Sequence, residues 1–138
     1  MGLPQVIVLD SHIWYWWINL EHNRLPPSMI QTIEDAPRVG VSVVSCFELA
    51  LSHHRGRLEL PLPPRDWFAR ALDGSDVELL PLTAEIAVRA VELANIHRDP
   101  FDRIIIATVI ELNAMLASID GHFPAYPELV GRLVGDER

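Results

Sequence analysis

The sequence His97-Arg98-Asp99-Pro100-Phe101-Asp102-Arg103 runs straight into Ile104-Ile105-Ile106-Ala107-Thr108-Val109-Ile110. Asp99 is a favoured helix N-cap, and Pro100, with its fixed φ and missing N–H, suits the first helical position. Asp102 then falls at the third position, where a carboxylate faces the positive helix end. The apolar residues that follow are too continuous for a single stripe, so the pattern predicts a helix buried nearly all round. Its acidic mouth should lie at the end of a core element.

On either side of this helix, strand and helix signals alternate. Gln5-Val6-Ile7-Val8-Leu9 is a β-branched apolar run without alternation, as expected for a strand buried on both faces, and it stops at Asp10. Ser11 is suited to cap the helix through His12-Ile13-Trp14-Tyr15-Trp16-Trp17-Ile18, whose aromatic residues read as core or subunit-interface packing rather than a base-stacking platform. After a short helix from Ser28 to Asp35, Val39-Gly40-Val41-Ser42-Val43 forms a second strand. Ser45 then stands in cap position with Glu48 three residues on, in capping-box spacing. Glu48 therefore reads either as a capping carboxylate or as a functional acid just past a strand end.

His53-His54-Arg55-Gly56-Arg57 closes that helix with basic residues and a glycine, and it is the densest basic patch of the chain. A proline-rich loop leads to a helix around Asp66–Leu72, closed by Asp73-Gly74. Val77-Glu78-Leu79-Leu80-Pro81 is a third strand, and Thr83 caps a helix from Ala84 to Ile96 with a broad apolar face that includes Val88 and Val91. A fourth strand, Ala114 to Ile119, ends once more on an acid, Asp120. The tail after Glu128 shows no clear final strand. The alternation implies an α/β domain over residues 1–138, with helices flanking a mostly parallel sheet.

Composition narrows the functional classes. Nearly half the residues, 49%, are hydrophobic, which argues against disorder. No apolar run approaches bilayer length and no secretory signature opens the chain, so a soluble cytoplasmic protein is expected. The single cysteine, Cys46, fits a reducing compartment. A net charge of −8 argues against a general nucleic-acid binder. All eleven basic residues are arginine, however, and guanidinium binds phosphate bidentately. Without lysine, Walker-A ATPases, Schiff-base enzymes and aspartyl-phosphate phosphatases each lose a required group.

Asp10, Glu48 and Asp120 follow three strands of one parallel sheet, and Asp102 opens the helix leading into the last of them. Parallel strands end on one edge, so the four acids should converge. At about 5 Å and an effective dielectric near 20, each ionised pair repels by roughly 3 kcal/mol, a large share of the about 5–15 kcal/mol that stabilises a domain. Either some carboxylates are protonated or a divalent cation neutralises them. Oxygen donors without a Cys or His cluster favour Mg²⁺ or Mn²⁺, suited to in-line attack on a phosphodiester. Asp99 is a fifth candidate, although its cap role explains it.

These residues carry a resemblance. Val-Leu-Asp10-Ser-His, Val-Ser-Val-Val-Ser-Cys-Phe-Glu48-Leu-Ala, His97-Arg-Asp-Pro-Phe-Asp102-Arg and Leu-Ala-Ser-Ile-Asp120-Gly-His-Phe are similar, in order and spacing, to the four acidic motifs of PIN-domain ribonucleases of the VapC type. The resemblance implies a three-layer α/β/α fold and Mg²⁺- or Mn²⁺-dependent endoribonuclease activity. It also implies dimerisation and inhibition by a VapB-like antitoxin in a toxin–antitoxin pair. Asp10, Glu48, Asp102 and Asp120 would form the metal site, supported by the Ser11 hydroxyl. Ser11 and Ser118 stand where threonine is usual, and Ser52 where a lysine is frequent. Arg55, Arg57, Arg98 and Arg103 are the candidates for RNA contact. The alternative is a PIN-like protein-interaction module with weak or lost nuclease activity.

Overall fold

The computed structural model describes residues 6–96 and 98–134; Gln5 of the expected first strand and His97 of the opening motif lie outside them. Its strands β1 (Val6–Leu9), β2 (Arg38–Ser42), β3 (Val77–Leu80) and β4 (Met115–Ala117) form one sheet in the order β3-β2-β1-β4. Every pairing is parallel: Leu9 lies opposite Val41 on one side and Ala117 on the other. Parallel neighbours need crossovers, supplied by α1 (Ser11–Ile18), α2 (Pro27–Asp35), α3 (Val43–His54), α4 (Pro64–Asp73), α5 (Ala84–Glu92) and α6 (Pro100–Glu111). No helix among the described residues is long and apolar enough to cross a membrane.

Side-chain alternation along β1 divides the interior into two layers. Ile7 and Leu9 pack with Trp14, Met29, Leu49 and Trp67, which belong to α1–α4. Val6 and Val8 point the other way, into a cluster with Ile105, Ile106 and Val109 of α6. The result is the three-layer arrangement expected from the sequence. Trp14 is fully buried, with its ring edge-on to Trp67 at 5.2 Å between centroids, so the core reading holds for the centre of the aromatic helix.

Several local expectations are corrected. The cap of α1 is Asp10, not Ser11: Asp10 Oδ1 accepts the Ile13 N–H at 2.9 Å, and Ser11 is the first helical residue. The second strand stops at Ser42, whose hydroxyl accepts the Val44 N–H at 3.2 Å and caps α3. Val43 is therefore helical, and Ser45 and Glu48 do not form a capping box. The fourth strand is shorter than its apolar run, and the tail contributes a single parallel bridge, Leu116 to Leu133, beside it. The end of α3 follows expectation. Gly56 takes φ +73°, and the Arg57 and Gly56 N–H groups return to the carbonyls of Ser52 and His53 at 2.9 and 3.0 Å, a Schellman closure.

Helix α5 ends at Glu92 and shows a narrower apolar face than expected, with Val88 56% and Val91 81% exposed. Its unpaired terminal carbonyls are gathered by Arg103, which donates to Ala90, Leu93, Ala94 and Val91 at 3.0 to 3.3 Å. That engagement gives Arg103, a candidate for RNA contact from the sequence, a structural role at the end of α5. Arg103→Ala is expected to lower stability by about 2–3 kcal/mol in urea unfolding, because it strands several half-buried acceptors.

Candidate active site

Asp10 sits where β1 becomes α1. Its N–H donates to the Ala117 carbonyl at 3.1 Å, continuing the β1–β4 ladder by one residue. The carboxylate is only 7% exposed; Oδ1 is held by the Ile13 N–H and Oδ2 accepts the Ser118 hydroxyl. Ser118 Oγ in turn accepts the Asp120 N–H at 3.0 Å, so one hydroxyl ties the acid after β1 to the loop carrying the acid after β4. Asp120 Oδ1 meets both the backbone N–H and the Nδ1 of His122, at 2.9 and 2.7 Å.

Glu48 reaches the same place from α3. The Ser11 hydroxyl donates to Glu48 Oε1 at 2.6 Å and lies 2.8 Å from the hydroxyl of the fully buried Ser45. Losing the cap role thus leaves both serines available to orient Glu48. Asp102, 9% exposed, stands in the first turn of α6, and the Asp99 carboxylate caps that helix by accepting the Phe101 N–H at 2.9 Å.

These elements enclose a cleft of about 230 Å³ lined by Asp10, Ser11, His12, Glu48, Asp99, Asp102, Ile105, Asp120 and His122. Its electrostatics record the crowding. Burial first, and then the charges of Asp99, Glu48, Asp120 and Asp10 in that order of effect, together push the Asp102 carboxyl up to about 7. Burial likewise raises Asp10 to about 6, against the opposing pull of the Ser118 and Ile13 hydrogen bonds and of His12. Among the described residues, no three His, Cys, Asp or Glu side chains close on one point as a ready metal cage. The acids line the walls instead, as mutually repelling groups on separate elements should. The cleft offers five carboxylates and a hydroxyl, with the imidazoles of His12 and His122 beside them and no sulfur, and a set so rich in oxygen suits a hard divalent cation.

Sequence reasoning did not single out His12, His122 or Ser45 for this cleft. Their signal is spacing: each histidine lies two residues after an acid, and Ser45 lies three before Glu48, one helical turn away. Arg55 and Arg57 lie exposed at the far end of α3 from its cap, and Arg98 is exposed beside the Asp99 cap; none of the three lines the cleft.

An all-parallel four-stranded sheet between helical layers, with acids gathered at the carboxyl ends of its strands, defines a PIN-type α/β domain. The PIN domain family model matches residues 7–129, and the chain belongs to that family. Among its relatives, Ribonuclease VapC22 of Mycobacterium tuberculosis is 36% identical over 115 residues, covering 83% of this chain and 86% of the relative. Solved structures agree in fold. VapBC2 from Rickettsia felis, bound to a DNA fragment from their promoter, superposes with a TM-score of 0.65 at 17% identity, covering 93% of this chain and 96% of that one. DNA-bound VapBC from Salmonella typhimurium gives 0.66 at 17% identity, covering 92% and 95%.

Proposed function

We propose that this chain is a Mg²⁺- or Mn²⁺-dependent endoribonuclease and the toxin of a toxin–antitoxin pair. The observation that carries the proposal is the convergence of Asp10, Glu48, Asp102 and Asp120, from distant parts of the chain, on one small cleft. The name of the 36% identical relative, a ribonuclease, supports the choice of substrate. A VapB-like antitoxin, a homodimeric state and a cytoplasmic setting belong to the same proposal, the first supported by the VapBC structural neighbours.

Asp10, Glu48, Asp102 and Asp120 would hold the cation, with Asp99 serving chiefly as a cap. A divalent cation held by these residues would supply charge for the phosphate and activation of water for phosphodiester hydrolysis. The chain's own contribution is positioning. Ser118 and the Ile13 N–H lock Asp10, the Ser11 hydroxyl locks Glu48, and burial of Asp10 and Asp102 keeps bulk water away from the carboxylates.

The test is incubation of purified, antitoxin-free protein with a panel of RNAs in Mg²⁺, Mn²⁺ or EDTA, with calorimetric titration of the metals. Metal-dependent cleavage is expected. No cleavage together with no metal binding at millimolar concentration would favour the alternative, a PIN-like interaction module. The absence of a closed cage among the described residues is the observation on that side. Ser11→Ala should reduce cleavage about tenfold, as expected for loss of a hydrogen bond that orients a ligand. Ser11→Thr, which keeps the hydroxyl, should restore most of the rate.

A further inference from the structure

Phe47 is 62% exposed and belongs to neither side of the core, yet it stands immediately before Glu48 on α3. Its ring meets that of Phe101, immediately before Asp102 on α6, at 5.5 Å between centroids with the planes tilted by 41°. The two helices that bring Glu48 and Asp102 to the cleft are thus also joined by an aromatic pair, each ring one residue before an acid and outside the cleft lining itself. Phe101 backs the outer ring and Phe47 keeps most of its surface in water.

We propose that Phe47, braced by Phe101, is the stacking site for an unpaired base of the RNA strand whose phosphate enters the acid cleft; the proposal rests on the ribonuclease reading. The argument begins with charge. At −8 overall and with no lysine, the protein has little positive charge beyond the proposed cation to supply the phosphate attraction that dominates most nucleic-acid binding. Affinity must then come largely from contacts indifferent to charge. Every base offers a π-face, and stacking on an aromatic side chain contributes roughly tenfold or more per base whatever the sequence. Paired bases are already stacked inside a duplex, so the site selects single-stranded segments, loops or bulges.

The test compares wild type, Phe47→Ala, Phe47→Leu and Phe47→Trp. Fluorescence anisotropy measures binding of a short labelled single-stranded RNA and of an abasic strand of equal length and charge, with Ca²⁺ in place of Mg²⁺ to hold off cleavage. Light scattering reports the mass of each variant. Phe47→Ala and Phe47→Leu should both bind the base-bearing strand about tenfold more weakly, bind the abasic strand like wild type and keep the same mass. Phe47→Trp should bind at least as tightly as wild type. Unchanged affinity in Phe47→Ala, full rescue by leucine, or an equal loss on the abasic strand would overturn the stacking site. A change of mass accompanying the loss would overturn it in favour of a second copy of the chain on this face. Wild-type protein that cuts no RNA in Mn²⁺ would instead defeat the ribonuclease reading itself, whereas cleavage with a KM unmoved by Phe47→Ala would defeat the stacking site alone.

Discussion

Asp102→Asn is expected to reduce RNA cleavage at least about a hundredfold while making the metal-free protein more stable. The two effects share one cause. Burial, and after it the charges of four neighbouring carboxylates, raise the Asp102 carboxyl to about 7. Ionised above that value, it destabilises the folded state relative to an unperturbed aspartate. Asparagine keeps the shape and one oxygen but carries no charge, so part of that cost disappears. Melting should rise by several degrees in alkaline, metal-free buffer. The same neutralisation removes a ligand from the proposed ion site, and with it about 3 kcal/mol or more of transition-state stabilisation. Thermal melts and initial rates on one RNA check both halves. A variant that is less stable, or that cleaves normally, would contradict this account of the cleft.

The second large effect concerns pH and metal together. Asp10 and Asp102 hold protons in the folded chain up to about 6 and about 7, whereas an unfolded chain releases them near 3.8. Between pH 4 and 7 the folded state therefore binds more protons than the unfolded one. Stability from these groups is greatest below the unfolded value and is lost as pH rises through the folded values. Melting in EDTA should accordingly be lower at pH 8 than at pH 5. Adding Mn²⁺ should reverse the loss at pH 8, by about 2.7 kcal/mol at a hundredfold excess over its dissociation constant. The same addition should do little at pH 5, where protons occupy the ligands. Melting curves across this range with and without metal provide the check, and equal stabilisation at both pH values would contradict it.

What the sequence made legible was whatever depended on neighbours along the chain. The Asp99 cap, Pro100 and Asp102 announced the start of α6, and acids after three buried runs announced a common edge once the strands were taken as parallel. Choices settled across space were not legible. Which serine caps α3 depends on where the β2 register ends, and Ser42 takes the role that local spacing offered to Ser45. Arg103 reads as a surface cation until the end of α5 is seen beneath it. The bonds that orient the acids span 37 residues from Ser11 to Glu48 and 108 from Asp10 to Ser118, and no periodicity encodes contacts of that range.

That longest contact carries a consequence for the birth of the molecule. During synthesis Asp10 is made early, but the wall of the cleft formed by β4, Ser118 and Asp120 does not exist until more than a hundred further residues have been added. While those residues still thread the exit tunnel, the fourth strand has no means of joining the sheet edge, and the acids stay apart. A nascent chain that stops short of β4 therefore carries no assembled acid cleft.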